Sequence, residues 1–236
     1  MPKYKIADIV FSAKHLFPYV QKVCKDYLCE EEEPAETELN VTIEDVEYEK
    51  SLSKLTFPDE YFESLALYRK FLEYALFHDT IILHSSALAV DGDAFLFTAP
   101  SGTGKSTHAK LYREVFKDRV TTINDDKPVV RRVNGEFFVY GTPWDGKHRL
   151  STNAKFKIKA ICALKRGEQN CINKISKKQM LLVLLNQTLR PKKEEQVDKT
   201  FILLGELLDS VSLYELYCNI SEEAVLVSYG AMSKGE

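Results

Sequence analysis

The sequence feature that most constrains the fold is the order of three segments between residues 94 and 116. Residues 94–98 form an apolar strand pattern, residues 99–104 (A-P-S-G-T-G) form a loop with two glycines, and residues 105–116 have helical patterning. A buried strand that runs through a glycine-bearing turn into a helix is typical of α/β proteins, in which helices pack on a sheet. The chain is therefore predicted to have an α/β fold.

The loop between this strand and helix predicts a phosphate site, because backbone N–H groups and the positive end of the helix converge on anionic oxygens. Lys105 would reach terminal phosphates and Ser106 would place its hydroxyl on Mg²⁺. Ala99 stands where the loop pattern has glycine, which is acceptable if its φ stays negative. The alternative is a glycine-rich helix cap without a ligand. The predicted nucleotide-binding residues are Ser101, Gly102, Thr103, Gly104, Lys105, Ser106 and Thr107.

Adjacent aspartates follow the strand predicted at residues 120–123. Asp125 and Asp126 are candidates for the acidic groups that a phosphate loop needs to complete a metal site. Adjacent side chains on an extended segment point opposite ways, so one carboxylate could face the metal while the other accepts a proton. The alternative is that both are turn residues. The Asn-Lys-x-Asp motif that reads guanine is absent, which favours ATP as the nucleotide.

Four further residues are candidates for the reaction or for substrate contact. His84 lies just before the strand pair that leads to the loop, although a lone histidine is often only a core or surface residue. Trp144 and Lys147 belong to an aromatic and cationic segment that could contact a substrate or form a surface turn with a packed tryptophan. Arg190 could send its guanidinium to the transferring phosphate, or could simply stabilise a helix end.

Composition excludes several classes of function. The 236 residues include 35 acidic and 32 basic side chains, a net charge of -3, so no basic field is present to hold a nucleic acid. No stretch approaches the roughly 20 apolar residues that span a bilayer, and the N-terminus does not resemble a signal peptide. The five cysteines include no Cys-x-x-Cys pair, which argues against a disulfide framework and a structural zinc site. A cytoplasmic protein without a nucleic-acid or membrane partner is expected.

The patterning predicts two regions, a small α+β element at residues 1–79 and a catalytic domain at residues 80–236. In the first region we expect strands over 4–11 and 39–43, a helix from Leu16 and a longer helix from Pro58. In the second, the strands are expected at 80–90, 94–98, 120–123, 128–133, 136–140, 158–164 and 213–218. The helices are expected at 105–116, 178–189 and 194–208, with a last helix introduced by Asn219 and Glu222.

With these residues in place, the segment from His84 to Asp126 resembles the catalytic core of HPr kinase/phosphorylase and its relatives. That family shares a P-loop architecture with the ATP-dependent phosphoenolpyruvate carboxykinases. The matching features are His84, the loop from Ser101 to Thr107, and the Asp125–Asp126 pair, over about 45 residues. The resemblance implies a P-loop core with a mixed sheet and flanking helices.

The same resemblance implies roles for individual residues. It implies that Lys105 and the loop hold ATP and that Ser106 binds Mg²⁺ together with an aspartate, which we assign to Asp126. It also implies that Asp125 is the base toward a substrate hydroxyl, with His84 beside it. The two aspartates could exchange these roles. Because HPr kinases are commonly oligomeric, a homo-oligomer is also possible.

The chain departs from the family after the aspartates. Residues 141–147 read G-T-P-W-D-G-K where HPr kinases continue to an Arg-Gly signature that contacts the protein substrate, and residues 1–80 do not resemble the family's regulatory domain. The acceptor is therefore expected to be a peptide, a protein other than HPr, or a small hydroxyl compound. The sequence favours an ATP- and Mg²⁺-dependent kinase that acts on a hydroxyl, with serine the expected acceptor.

Two other functions stay open from the sequence. One is an ATP-binding module that grips a peptide and switches without transferring phosphate, for which residues 1–79 and the segment around Trp144 would serve recognition. The other, carboxykinase chemistry on a keto acid, is weaker because the further carboxylate- and metal-binding residues of that family are not evident.

Overall fold

The structure is a computed structural model that describes residues 1–30, 32–146, 148–188, 191 and 193–234. Its internal contacts divide the chain into two compact units, Met1–His78 and Asp79–Glu236. Each unit has its own sheet and its own helices. In the part of the chain that the structure describes, no helix is both long enough and apolar enough to cross a bilayer.

The first unit contains a small sheet with the strand order β1-β2-β3. Strands β1 (Lys3–Ile6) and β2 (Ile9–Ser12) are antiparallel, and β3 (Thr37–Glu38) runs parallel to β2. The single strand expected over residues 4–11 is wrong, because Ala7 and Asp8 have φ values of 53° and 59° and reverse the chain between β1 and β2. Positive φ at both central residues is the geometry of a tight hairpin turn.

The helices of the first unit are α1 (Pro18–Val23), α2 (Ile43–Leu52) and α3 (Asp59–Ala75). The helix expected from Pro58 is confirmed as α3. The strand expected over residues 39–43 is wrong, because Thr42 is the cap of α2. Its hydroxyl accepts from Asp45 N while the Asp45 carboxylate accepts from Thr42 N at 2.8 Å. This reciprocal capping box satisfies N–H groups that the first helical turn leaves unpaired.

The second unit is a mixed α/β structure with helices beside a mixed sheet, as the sequence predicts at this coarse level. Its strands are β4 (Thr80–Ile82), β5 (Ser85–Val90), β6 (Asp93–Thr98), β7 (Val120–Asn124), β8 (Val129–Val133), β9 (Glu136–Tyr140), β10 (Lys155–Arg166), β11 (Cys171–Lys174) and β12 (Ser212–Cys218). Its helices are α4 (Lys105–Phe116), α5 (Lys177–Leu184), α6 (Glu194–Ser210) and α7 (Glu222–Met232).

Three details of this unit differ from the expectations. Strand β11, which pairs with β12, was not expected. Helix α5 ends at Leu184 rather than near residue 189. Helix α7 is capped by Ser221, whose hydroxyl accepts from Ala224 N, and not by Asn219. Both asparagine and serine are good N-cap residues, so the choice between them two positions apart depends on tertiary contacts.

The strand directions determine which loops share an edge of the sheet. Strand β5 is antiparallel to both β6 and β7, while β10 is parallel to both β6 and β12. Strands β6, β7, β10 and β12 therefore all run in one direction and end at one edge. Ligands of α/β proteins bind outside the carboxyl ends of such strands. A second arm, with the order β4-β8-β9, joins the first residues of β10 in antiparallel register.

The core of the second unit lies between this sheet and helices α4 and α7. It is lined by large, fully buried side chains, among them Phe95, Phe97, Tyr112 and Leu216. Helix α4 is amphipathic, so its buried face presses on the sheet and its first turn stays at the carboxyl edge of the strands. The core thereby fixes where the glycine loop before α4 lies.

Candidate functional site

The loop between β6 and α4 adopts a conformation that its glycines allow. Gly102 and Gly104 have φ values of 78° and 128°, in the region that strains any residue with a side chain. Thr103 N donates to Pro100 O at 3.2 Å and closes the turn. Ala99 is buried and is not among the described residues with positive φ. Alanine at this position is therefore compatible with the loop.

Lys105 folds back over the start of the loop. Its Nζ donates to the carbonyl oxygen of Ala99 at 2.8 Å, and the side chain is buried. Burial lowers the pKa of Lys105, and the nearby carboxylates of Asp126 and Asp125 act in the opposite direction. Lys105 therefore lies within electrostatic range of both aspartates. Ser106 and Thr107, in the first turn of α4, are exposed.

The two aspartates at the end of β7 have different surroundings. Asp125 is 6% exposed and its Oδ1 accepts a hydrogen bond from the Ser86 hydroxyl at 2.7 Å. The Asp126 carboxylate lies 3.2 Å from His84 Nε2 and 2.5 Å from Lys127 Nζ. Burial would raise the pKa of Asp126, but His84 and Lys127 outweigh it and lower this pKa to about 2. Asp126 therefore stays ionised throughout the physiological pH range.

His84 is held between two partners. Its Nε2 faces Asp126, and its Nδ1 lies 2.9 Å from Gln187 Oε1. The backbone of the same two residues also pairs, since His84 N donates to Gln187 O at 2.7 Å. The structure places His84 with the aspartate pair, but its contact is with Asp126 rather than with Asp125, beside which the resemblance implied it would lie.

Asn124 organises this end of β7 and was missed by the sequence analysis. Its Oδ1 accepts from the backbone N–H groups of Asp126 and Lys127 at 2.8 and 2.7 Å, and its Nδ2 donates to Thr142 Oγ1 at 3.0 Å. An asparagine that binds backbone groups two and three residues ahead forces a turn. The position of Asn124 directly after an apolar strand was a signal that could have identified it.

Residues 141–145 are buried, and the exposed Gly146 lies against Asp126. Trp144 is 5% exposed, which agrees with the alternative of a packed tryptophan, and its contact with a substrate stays a prediction. A Cβ atom on Gly146 would lie 3.1 Å from Asp126 Cβ. Asp145 is buried and accepts from Ser151 Oγ at 3.1 Å, and burial raises its pKa. The other two candidate substrate residues, Lys147 and Arg190, lie outside the described residues.

Gly141 is expected to be intolerant of any side chain. A Cβ atom there would lie 1.9 Å from Thr152 O and 2.8 Å from Ile123 O, so the backbone at Thr152 and in β7 would have to move. Gly141→Ala should lower the free energy of unfolding by about 3 kcal/mol, as overpacking of a core does. The matched control is Gly205→Ala in α6, where nothing lies within 4 Å of the new atom. It should raise stability by about 0.5–1 kcal/mol. Chemical denaturation measures both, and equal effects would contradict this account of Gly141.

His108, in the second turn of α4, should make stability depend on pH. It is buried against Phe97 and Tyr112, and burial lowers its pKa to about 4. The unfolded chain binds this proton near pH 6.5, so stability falls as the pH decreases from about 6.5 to 4, by about 3 kcal/mol in total. Denaturation curves over this range should show a clearly smaller loss for His108→Leu. An unchanged pH slope in that variant would contradict the prediction.

Two clefts flank the loop. The larger, of about 680 Å³, runs from the loop and the end of β10 to Leu182 in α5 and to Asn186 and Gln187, which follow that helix. The smaller, of about 400 Å³, lies on the other side of the loop against α4 and the residues after β12, including Leu111 and Ile220. Because Gln187 also contacts His84, the larger cleft reaches the surroundings of the His84–Asp126 pair.

Ser106 and Asp126 supply oxygen atoms of the kind that Mg²⁺ binds. Among the described residues, no group of three or more histidine, cysteine or acidic side chains is placed to hold a metal. Mg²⁺ is usually bound by one or two carboxylates together with substrate phosphates and water. The exposed Ser106 hydroxyl and the ionised Asp126 carboxylate have the oxygen chemistry for that arrangement.

Comparison with solved structures finds similar chains, whereas the other two comparisons find none. No family model matches the chain, and no curated protein matches it. Among solved structures, the chain is similar to the HPr(Ser) kinase/phosphatase from Coxiella burnetii, with a TM-score of 0.36 and 10% sequence identity. The alignment covers 65% of this chain and 97% of that one. At these values the similarity does not establish a family or an activity.

Proposed function

We propose that the protein is an ATP- and Mg²⁺-dependent kinase that transfers the γ-phosphoryl group to a hydroxyl of a peptide, a protein or a small molecule. In this proposal residues 80–236 are the catalytic domain. The observation that carries it is the meeting of the glycine loop, Lys105 and the Asp125–Asp126 pair at one edge of one sheet. A cation and two carboxylates beside a phosphate loop are the groups that phosphoryl transfer uses.

Each residue has a proposed task. The N–H groups of residues 101–107 and the Lys105 ammonium bind the phosphates, while Ser106 and Asp126 would hold Mg²⁺. The metal neutralises charge on the phosphate oxygens when it is bound. Asp125 takes the proton of the acceptor hydroxyl as the acceptor oxygen bonds to the γ-phosphorus and the bond to the bridging oxygen of ADP breaks. His84 keeps Asp126 ionised and oriented through its 3.2 Å contact.

The acceptor is proposed to enter through the larger cleft and the nucleoside to occupy the smaller one. The residues that line the two clefts support this assignment. The larger cleft includes Gln187, the partner of His84, whereas the smaller cleft is bounded by the first turns of α4. Leu182 is 60% exposed on the wall of the larger cleft, so a charge there should be tolerated by the fold. Leu182→Glu is expected to impair transfer while leaving the affinity for ATP within about threefold.

The test is a labelling experiment. Wild-type protein and Lys105→Ala are incubated with Mg²⁺ and γ-labelled ATP against a fractionated cell extract, and label is followed into peptides and small molecules by mass. Label on a defined acceptor with wild type alone supports the kinase. ATP binding with no labelled product in any fraction would point to the nucleotide-dependent switch module instead, and an absence of ATP binding would refute both.

A further inference from the structure

Arg166 is a charged residue on the phosphate loop that the proposed mechanism has not used. It is the last residue of β10, the strand next to β6, and the two strands are in parallel register up to the pair Ala163–Thr98. Its guanidinium donates to the loop itself, from Nη2 to Gly102 O at 2.6 Å and from Nε to Thr103 O at 3.4 Å. The side chain is exposed.

Arg166 also lies where the two clefts meet. The residues that line both clefts are Gly102, Thr103 and Arg166, and Arg166 is the one among these three with a charged side chain. If the nucleoside occupies one cleft and the acceptor the other, the phosphoryl group that passes between them must cross this shared boundary. The Arg166 guanidinium at that boundary faces the transferring phosphoryl group, on which negative charge is greatest.

We propose that Arg166 contacts the terminal phosphate of bound ATP and stabilises it during transfer. The inference rests on the proposed function and adds a catalytic residue to it. A phosphate adds the attraction of opposite charges that a neutral carbonyl lacks, and arginine can bind it with two parallel hydrogen bonds. A γ-phosphate in the loop therefore competes successfully with the carbonyls of Gly102 and Thr103 for this exposed guanidinium.

A contact between Arg166 and the γ-phosphate predicts unequal effects on the affinities for ATP and ADP. The γ-phosphate is present in ATP and absent from ADP, so a residue that touches it changes the affinity for ATP more than the affinity for ADP. A residue that only supports the loop through carbonyl contacts changes both affinities alike. The ratio of the two dissociation constants thus separates a catalytic role of Arg166 from a structural one.

The experiment measures binding of ATP and ADP, each with Mg²⁺, by titration calorimetry. The proteins are wild type, Arg166→Ala, Arg166→Lys and the control Arg119→Ala, whose guanidinium pairs with Asp91 beside the turn at the other end of β5 and β6. Arg166→Ala should weaken ATP binding about tenfold or more and ADP binding less than about threefold, as expected for loss of a charge-assisted contact. Arg166→Lys should bind ATP more tightly than Arg166→Ala but less tightly than wild type. Lysine keeps the positive charge but lacks the planar set of N–H donors of the guanidinium.

Each outcome decides the question. Equal weakening of ATP and ADP would overturn the inference and leave Arg166 as a support of the loop, with the kinase proposal intact. Unchanged affinities in Arg166→Ala would likewise overturn it. If wild type binds neither nucleotide, the proposed function fails and the inference with it. Where wild type transfers phosphate, Arg166→Ala should also lower kcat by about 10²-fold or more, as loss of a transition-state cation does.

Discussion

Replacing Lys105 by alanine is expected to reduce phosphoryl transfer to below about one-thousandth of the wild-type rate, because the phosphates lose the ammonium that is proposed to bind them. The Lys105 ammonium binds Ala99 O at the start of the loop and interacts electrostatically with the two aspartates. Without the ammonium, the loop loses a charge that offsets repulsion between the two carboxylates and the incoming polyphosphate, and Lys127 and His84 beside Asp126 offset only part of that repulsion. Affinity for ATP should also fall, which a fluorescent-nucleotide titration beside the transfer assay would measure.

The matched control is Lys110→Ala. Lys110 lies on the same helix, is exposed, and pairs with Glu114 one turn later. Its removal takes the same charge and the same number of atoms from α4, so it should leave transfer and ATP affinity within about twofold. A Lys105→Ala protein that keeps wild-type transfer, with an unchanged thermal unfolding curve, would refute the assignment of the loop as the phosphate site.

The second large effect is expected at Asp125. Asp125→Asn keeps an oxygen to accept the Ser86 hydroxyl, so the fold around it should be preserved. The amide cannot take up the acceptor proton, and transfer should fall by about 10²–10⁴-fold, the range for loss of a general base. Affinity for MgATP should change by less than about threefold. Single-turnover assays and nucleotide titrations give the two numbers separately.

Asp126→Asn should affect the binding of Mg²⁺ rather than the removal of the acceptor proton. An amide is a poorer Mg²⁺ ligand than a carboxylate, and the change also removes the partner of His84 and Lys127. The Mg²⁺ concentration for half-maximal transfer should therefore rise by about tenfold or more. Asp118→Asn, at an exposed position after α4, serves as the control. If Asp125→Asn instead raised the Mg²⁺ requirement and Asp126→Asn spared it, the two aspartates would have exchanged roles.

Local sequence patterns were sufficient to predict helix α4 and the turn between β8 and β9. Helix α4 begins and ends where the spacing of its apolar residues predicts, and the Asn134–Gly135 turn between β8 and β9 has the positive φ values that this dipeptide favours. Both signals are carried by residues that are adjacent in sequence. Where two local signals competed, as at Thr42, the helix cap overrode the alternation typical of a strand, and the prediction was wrong.

Long-range contacts decided the composition of the candidate site. Gln187 lies 103 positions from His84, and Arg166 lies 64 positions from Gly102, so no local pattern connects them. Trp144 is a comparable case, because an aromatic residue among turn formers has the composition of a recognition loop, yet here it is packed inside. Whether a side chain is buried depends on which strands lie beside it, and strand order is not a property of any single segment.

By itself, the sequence determined the glycine loop, the helix that follows it and the adjacent aspartates, since each depends on the conformational preferences of neighbouring residues. The tertiary structure alone decided that β6, β7 and β10 end at one edge, that His84 faces Asp126, and that Arg166 reaches the loop. The physical reason is that these contacts arise from parallel and antiparallel pairing of strands far apart in the chain, which the burial of the whole sheet selects.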